Sequence, residues 1–250
     1  MSMPPPLTLQ SALYLDFDGT LVDIAETPDT VVVPPELIDT LQALQGLLGG
    51  ALAVVSGRQI DALDRFLKPL ALPAAGEHGV QRRTAQGVLG EQSSPDLAAV
   101  VQAANGLSMQ YPGVIVERKH AAVAVHYRLA TQWEEQCRST MSAAIAEDPR
   151  LEVLFGKCVV EVKPAGVHKG VAIDAFQREA PFTGRTPYFL GDDTTDENGF
   201  SVVQHLQGVA IKVGEGSTSA QHRLDGTLAV RRWLEESRDR LTVEAASGTE

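Results

Sequence analysis

The sequence predicts an α/β protein whose parallel-sheet core is interrupted by one inserted α+β domain. Three observations support this prediction. Short apolar runs alternate with helical patterns near the start of the chain, and the same alternation returns in its last third. Such alternation is typical of parallel strands joined by crossover helices. The middle instead repeats a helix followed by a hairpin, which is typical of an antiparallel sheet. The predicted core therefore comprises residues 1–79 and 163–250, and the insert residues 80–162.

The first part of the core follows a proline-rich lead-in and contains three predicted strands. They are short apolar runs, each ended by a polar or glycine-containing segment, at residues 12–15, 51–55 and 72–75. Between the first two, apolar residues recur at helical spacing from Leu37 to Leu48. A proline pair suits the first turn of this helix, and Gly49-Gly50 supplies its end.

The insert and the second part of the core complete the element order. In the insert, strand pairs are predicted at residues 114–117 with 121–127 and at 151–155 with 159–162. After the insert, helix and strand alternate at residues 168–178, 188–190, 197–205 and 209–213. The last roughly ten residues, rich in Glu, Ala and Ser, are predicted to be a solvated tail.

Composition excludes several classes of protein. The net charge of −11 argues against nucleic-acid binding, which needs a basic surface. No apolar run approaches the ~18–20 residues of a membrane span. The N-terminus lacks the basic and apolar regions of a secretory signal. Two cysteines, Cys137 and Cys158, cannot form a disulfide framework in a chain of this length. We therefore predict a cytoplasmic protein that binds neither nucleic acid nor membrane.

Polar side chains follow three predicted strands of the core. Asp16 and Asp18 come after the first strand, Ser56 after the second, and Asp192 with Asp193 after the strand at 188–190. The carboxyl ends of parallel strands share one edge, where ligands bind. Carboxylates beside a buried strand need compensation, which Mg²⁺ with its oxygen ligands supplies. An Asp- and Gly-rich turn explains the first pair equally well.

Two further segments suggest an anion site. Ser56-Gly57 offers a hydroxyl and a backbone amide at the start of a helix, although Ser-Gly is also a common strand-to-helix turn. Lys169 begins a helix, where a lysine opposes the helix dipole. This position suggests a neighbouring anion, and a solvated surface lysine explains it as readily. Asp196 fits the acidic first turn of a helix, whereas the preceding pair of aspartates at the strand end is better explained by a metal.

In order along the chain, these segments resemble the four motifs of the haloacid-dehalogenase-like phosphatases. The matching residues are Asp16-Phe17-Asp18-Gly19-Thr20, Ser56, Lys169, and Asp192-Asp193 with Asp196. The resemblance implies a Rossmann-like core in which the insert forms a cap domain.

The same resemblance implies a mechanism. Asp16 would attack phosphorus and form an aspartyl-phosphate, and Asp18 would serve as acid and then base. Mg²⁺ would be held by Asp16, Asp192 and the backbone carbonyl of Asp18, with Asp193 and Asp196 as further ligands. The residues that hold the phosphoryl group would be Ser56, Gly57 and Lys169.

A narrower resemblance is to trehalose-6-phosphate phosphatases, over about residues 13–213. It rests on Gly76-Glu77-His78-Gly79, Glu117-Arg118-Lys119, His126-Tyr127-Arg128, Glu161-Val162-Lys163-Pro164 and Gly191-Asp192-Asp193-Thr194-Thr195-Asp196-Glu197. It implies hydrolysis of trehalose 6-phosphate in trehalose biosynthesis and a functional link to a trehalose-phosphate synthase. The sugar would be bound by Glu117, Lys119, Arg128 and Glu161. Cross-strand ion pairs are the alternative role for these four residues.

Two other functions compete with this interpretation. One is a related capped phosphatase for sucrose phosphate or mannosyl-phosphoglycerate. The other is a non-catalytic sugar-phosphate sensor or synthase partner, which would have no need for a nucleophile and an acid together.

Overall fold

The apolar runs and helical patterns form twelve strands and seven α-helices in the computed structural model, which describes residues 2–91 and 95–247. The strands are β1 (Ser11–Leu15), β2 (Leu52–Val55), β3 (Ala74–Gly76), β4 (Gln81–Arg83), β5 (Leu89–Glu91), β6 (Ile115–Arg118), β7 (Val123–His126), β8 (Leu151–Gly156), β9 (Val159–Pro164), β10 (Thr186–Gly191), β11 (Val209–Val213) and β12 (His222–Leu224). The helices are α1 (Pro35–Leu47), α2 (Ile60–Phe66), α3 (Ala98–Gln110), α4 (Glu134–Ala143), α5 (Lys169–Gln177), α6 (Glu197–His205) and α7 (Thr227–Ser247).

The larger sheet has eight strands in the order β12-β11-β10-β1-β2-β3-β4-β5. Every pairing from β12 to β3 is parallel, and β4 runs antiparallel to β3. The central strand β1 is buried along its whole length, which agrees with its continuous apolar run. Because the strands are parallel, the residues that follow β1, β2 and β10 lie at one edge of the sheet.

The predicted solvated tail is helical as far as the structure describes it: α7 runs to Ser247, most residues after Leu241 are exposed as predicted, and residues 248–250 lie outside the described residues. Residues 241–247 belong to this helix, and Leu241 is buried. Val230, Trp233 and Leu234 are buried in the same helix, at helical spacing with Leu241. This spacing is visible in the sequence, so helical periodicity was a usable signal for α7.

The inserted part forms an antiparallel sheet in the order β6-β7-β9-β8. Its core includes Val123, Val125 and Val160 from the sheet, with Cys137 and Met141 from α4. The two predicted helix–hairpin patterns are thus confirmed. None of the described helices combines the length and the apolar composition that a membrane span requires.

The chain divides into two compact units, Met1–Gly90 with His168–Glu250 and Glu91–Val167. Both limits of the insert lie later in the chain than the predicted residues 80 and 162. The first is later because β4 extends the larger sheet. At the second limit, β9 pairs with β8 as far as Pro164, and the buried Lys163 donates a hydrogen bond to the Val167 carbonyl. The roles of these units as catalytic core and cap stay a prediction.

Candidate active site

Three carboxylates meet at the carboxyl edge of the larger sheet. Asp16 follows β1, Asp192 follows β10, and Asp196 ends the 3₁₀ turn Thr194–Asp196. One carboxylate oxygen of each lies within 4.8 Å of the others. Asp16 and Asp196 are buried, and Asp192 is half-buried. Clustered carboxylate oxygens are the donor set that a hard divalent cation takes, so these residues fit such an ion. We call Asp16, Asp192 and Asp196 the carboxylate cluster.

A buried lysine lies against two members of this cluster. Lys169, the first residue of α5, donates from Nζ to Asp16 Oδ1 at 2.6 Å and to Asp196 Oδ1 at 2.7 Å. Its side chain is 3% exposed, which contradicts the alternative of a solvated surface lysine. Thr20 adds a hydroxyl that donates to Asp16 Oδ2 at 3.3 Å. The first residue of α5 therefore places its ammonium group against the Asp16 carboxylate.

Burial and mutual repulsion shift the titration of these groups. Burial raises the pKa of Asp16 well above its usual range, and Asp196 and Asp192 raise it further, against the attraction of Lys169. Burial and then Asp196 raise the pKa of Asp192 to about 7. Although burial lowers the pKa of Lys169, Asp16 and Asp196 raise it above its usual value. A divalent cation would relieve the repulsion between these carboxylates.

Two glycines make room for the carboxylate cluster. Gly19 has a φ of +76°, and a Cβ there would lie 2.2 Å from Asp192 Oδ2. A Cβ on Gly191 would lie 2.2 Å from Asp196 Cγ. Any larger residue at either position would displace a carboxylate. The buried Lys212 of β11 also donates to the Asp192 backbone carbonyl, which helps to fix this loop.

Two of the predicted metal residues make other contacts with their carboxylates. Asp18 accepts a bidentate ion pair from Arg58, with Nε to Oδ2 at 2.6 Å and Nη2 to Oδ1 at 2.7 Å. Asp193 caps the Thr194–Asp196 turn by accepting from Thr194 N at 2.7 Å, while Asp196 Oδ2 accepts from Asp193 N at 2.9 Å. The carboxylates of Asp18 and Asp193 thus lie outside the carboxylate cluster. Metal roles for these two residues stay predictions.

Ser56 and Gly57 lie at the carboxyl end of β2, as predicted. Ser56 is buried, and its hydroxyl accepts from Arg58 N at 3.2 Å. Its carbonyl accepts from His78 N at 2.9 Å, and the His78 ring packs against Gly57. Glu77 and His78 both have positive φ, of 47° and 59°. Strained backbone of this kind persists where surrounding contacts hold it, often at functional sites.

The predicted sugar-binding residues form ion pairs and hydrogen bonds within the inserted unit. Lys119 pairs with Glu161, and each side chain is only 6% exposed. Glu117 Oε2 lies 2.8 Å from His126 Nε2. Arg128 donates from Nη2 to the Lys157 carbonyl at 2.9 Å. The Lys119–Glu161 contact is an ion pair within the insert, as in the alternative that the sequence left open, but it does not join neighbouring strands, because Lys119 follows β6 and β7 lies between β6 and β9. A role of these residues in sugar binding stays a prediction.

Sequence reasoning missed two residues of this site, Arg58 and Lys212. Arg58 follows Ser56-Gly57 directly, and local sequence gives it no role because its partner Asp18 is 40 residues away. Lys212 carries a usable signal, since it is a lone charge in the apolar strand Val209–Val213. A charge in a buried strand requires a partner, so it points to a nearby polar group.

The fold and the carboxylate cluster define a class, an α/β protein in which an aspartate and a lysine are buried together at the carboxyl edge of a parallel sheet. Residues 14–230 match the family model described as trehalose-phosphatase. The chain belongs to the trehalose-phosphatase family and is a phosphatase. Solved phosphatases of the haloacid-dehalogenase superfamily share its fold, which confirms the predicted fold class. The family implies a divalent metal, which the donor set of the carboxylate cluster fits.

Individual relatives agree with this assignment. The chain is 45% identical over 233 residues to an Escherichia coli trehalose-6-phosphate phosphatase, covering 92% of this chain and 88% of that protein. It is 35% identical over 238 residues to a bifunctional trehalose-6-phosphate synthase/phosphatase of Thermoproteus tenax, covering 90% of this chain and 32% of that protein. The crystal structure of a trehalose-6-phosphate phosphatase related protein has 26% identity and a TM-score of 0.77, covering 93% of this chain and 99% of that chain.

Proposed function

We propose that this protein hydrolyses trehalose 6-phosphate to trehalose and inorganic phosphate, with Asp16 as nucleophile. The observation that carries the mechanism is the buried contact of 2.6 Å between Lys169 Nζ and Asp16 Oδ1, beside two further carboxylates. A carboxylate nucleophile divides one difficult hydrolysis into two easier steps. Family membership and the match to the E. coli enzyme support the substrate.

In the first step, an oxygen of the Asp16 carboxylate forms a bond to phosphorus, and the bond between phosphorus and the sugar oxygen breaks. Asp18 supplies the proton that the departing sugar oxygen takes. The products of this step are trehalose and the aspartyl-phosphate of Asp16. Lys169 stabilises the negative charge on the transferring phosphoryl group, with the hydroxyl of Ser56 and the amide of Gly57 as further donors.

In the second step, Asp18 takes a proton from water, and the water oxygen bonds to phosphorus. The bond between phosphorus and the Asp16 oxygen breaks, which releases phosphate and restores the carboxylate. Asp16, Asp192 and Asp196 would hold a divalent cation, which we propose to be Mg²⁺. When bound, this cation supplies positive charge that stabilises the phosphoryl transfer. Ligation by the Asp18 carbonyl and by Asp193 belongs to the same proposal.

Other parts of the proposal concern the sugar and the partner. Glu117, Lys119, Arg128 and Glu161 offer the donors and acceptors that a disaccharide with many hydroxyls requires. A functional link to a trehalose-phosphate synthase is supported by the Thermoproteus tenax relative, whose name gives both activities. Cytoplasmic location stays a prediction.

Phosphate release from a panel of sugar phosphates tests this function. The panel contains trehalose 6-phosphate, sucrose phosphate, mannosyl-phosphoglycerate and glucose 6-phosphate, each with Mg²⁺ and with excess EDTA. We expect trehalose 6-phosphate to give the highest kcat/KM and EDTA to abolish turnover. If the kcat/KM for glucose 6-phosphate equals that for trehalose 6-phosphate, the substrate assignment is wrong. Activity that persists in EDTA contradicts the metal, and no release from any phosphate supports a non-catalytic sensor.

A further inference from the structure

We propose that Arg58 is a positioning residue that orients the Asp18 carboxylate for both of its proton transfers. The inference rests on the proposed function, because it assigns Arg58 a part in that reaction. Arg58 binds both oxygens of Asp18, at 2.6 Å from Nε and 2.7 Å from Nη2. A guanidinium matches a carboxylate in this two-bond geometry and fixes its plane, which a single hydrogen bond does not.

The guanidinium of Arg58 is itself held in place. Its third nitrogen, Nη1, donates to the Pro28 carbonyl at 2.8 Å. Its central carbon lies 4.9 Å from the ring centroid of Phe66 and 5.5 Å from that of Phe17. The side chain is 12% exposed. Because all three nitrogens bond and two rings pack against the group, Arg58 gives Asp18 a rigid support.

The backbone of Arg58 connects this support to the predicted phosphate-binding turn. Its amide donates to Ser56 Oγ at 3.2 Å, and its carbonyl accepts from Glu77 N at 2.9 Å. Arg58 therefore contacts both the turn after β2 and the Asp18 carboxylate. This connection fixes the Asp18 carboxylate relative to the hydroxyl that would hold the phosphoryl group.

The ion pair with Arg58 also separates the role of Asp18 in proton transfer from the role of the neighbouring carboxylates in metal binding. A carboxylate near a divalent cation tends to ligate it, and Asp18 follows Asp16 closely in the chain. Bidentate pairing with Arg58 keeps the Asp18 side chain outside the carboxylate cluster. A carboxylate has about four lone-pair positions, of which Arg58 uses two. The remaining positions stay available for the sugar oxygen and then for water.

The test uses Arg58→Gln with a matched control from the same unit. Arg83 also makes a bidentate contact, with Asp64, from Nη1 at 2.6 Å and from Nη2 at 2.7 Å. The exposures are also alike, 15% and 38% for Arg83 and Asp64 against 12% and 35% for Arg58 and Asp18. Arg83→Gln therefore loses a similar ion pair away from the proposed chemistry. We expect Arg58→Gln to lower kcat for trehalose 6-phosphate about 100-fold with KM nearly unchanged. Arg83→Gln should keep the kcat of the unaltered protein.

A double-mutant cycle shows whether Arg58 acts through Asp18. If it does, Arg58→Gln has no further effect on kcat in a protein that already carries Asp18→Asn. Equal fold losses in the two backgrounds would overturn the inference. A kcat for Arg58→Gln equal to that of Arg83→Gln would also overturn it. So would a kcat above that of the unaltered protein, because the ion pair would then hold Asp18 away from the position for proton transfer.

A second substrate gives a readout that a merely structural role would not move. The p-nitrophenolate group leaves without needing a proton, so Asp18 is required only for the second step with p-nitrophenyl phosphate. In Arg58→Gln we expect a fast first equivalent of p-nitrophenolate, followed by slow turnover. A first equivalent slowed as much as turnover would overturn the inference, because Arg58 would then act on the phosphoryl group.

Further measurements keep the outcome decisive. If circular dichroism shows that Arg58→Gln does not fold, Arg58→Lys is used instead. It retains the positive charge but cannot make two parallel hydrogen bonds to Asp18, and we expect an intermediate loss of kcat. Unchanged kcat in Arg58→Lys would overturn the inference. If the unaltered protein hydrolyses p-nitrophenyl phosphate and not trehalose 6-phosphate, the proposed substrate is wrong. The burst and the double-mutant cycle then still test Arg58 with p-nitrophenyl phosphate.

Discussion

The two units of the chain balance their buried charges in different ways. At the edge of the larger sheet, Asp16, Asp192 and Asp196 lie close together, and the ammonium of Lys169 contacts Asp16 and Asp196. Three carboxylates against Lys169 and Lys212 leave an excess of negative charge in a region with little solvent. The raised pKa values of Asp16 and Asp192 follow from burial and from this excess.

In the described part of the inserted unit, buried lysines instead lie in ion pairs with glutamates. Lys119 pairs with Glu161, and the buried Lys163 pairs with Glu152. Matched pairs compensate each other within the fold, whereas an unmatched carboxylate cluster gains stability when a cation binds. From this difference we infer that the unmatched carboxylates of the core are arranged to bind a cation. The ion pairs of the insert are also explained by the stability of the fold.

The largest effect is expected from the nucleophile. Asp16→Asn keeps the size of the side chain and removes the attacking oxygen anion. Turnover of trehalose 6-phosphate should fall by at least about 10³-fold, as for other covalent nucleophiles. Calorimetry should still detect substrate binding. Asp174→Asn, which loses an exposed ion pair with Arg178 on α5, is the control and should retain activity. Full activity in Asp16→Asn would contradict the mechanism.

A smaller effect, on stability, is expected from the insert. Lys119→Met leaves Glu161 as a buried charge without its lysine, which should lower the free energy of unfolding by about 3–5 kcal/mol. Replacing both residues by apolar ones should restore most of the loss. Urea unfolding measures these changes. The control is Arg150→Met, which loses an exposed ion pair with Asp148 and should lower the free energy of unfolding by less than about 1 kcal/mol.

The same variants separate stability from sugar binding. If the pair also binds the sugar, the double variant regains stability, yet its KM rises for trehalose 6-phosphate and not for p-nitrophenyl phosphate. An unchanged KM for both substrates would leave the pair with a purely structural role.

The smallest effect is the pH dependence of the metal-free protein. The pKa of Asp192 is raised to about 7 in the folded state, against about 4 in the unfolded chain. Folding therefore favours the protonated form, and this stabilisation is complete below about pH 4 and lost as the pH rises through about 7. Thermal unfolding in EDTA between pH 5 and pH 8 should show a falling Tm, with ~2–4 °C for each kcal/mol lost.

Asp192→Asn isolates this contribution. In that variant the fall in Tm between the same pH values should be smaller, because the titrating group is gone. Added Mg²⁺ should raise the Tm of the unaltered protein more at pH 8 than at pH 5, since the cation binds the ionised carboxylates. An identical pH dependence in both proteins would contradict the raised pKa as a source of instability.

Much of the fold followed from local patterns. The buried strands β1, β2 and β10 are apolar runs with polar breaks, and the breaks place Asp16, Ser56 and Asp192 at one edge. The insert was recognised from its change of pattern. By contrast, the predicted insert limit at residue 80 leaves β4 outside the core, because its residues Gln81–Arg83 give no apolar run and its pairing with β3 depends on contacts outside the local sequence.

The sequence by itself determined which residues stand at strand ends and helix starts, because burial periodicity and turn residues act over a few positions. Only the tertiary structure decided which side chains meet there. It brought Asp196 into the carboxylate cluster through the space at Gly191, left Asp193 as a turn cap, and joined Asp18 to Arg58. These choices depend on distances of a few ångströms between residues far apart in the chain, and local propensity carries no information about such distances.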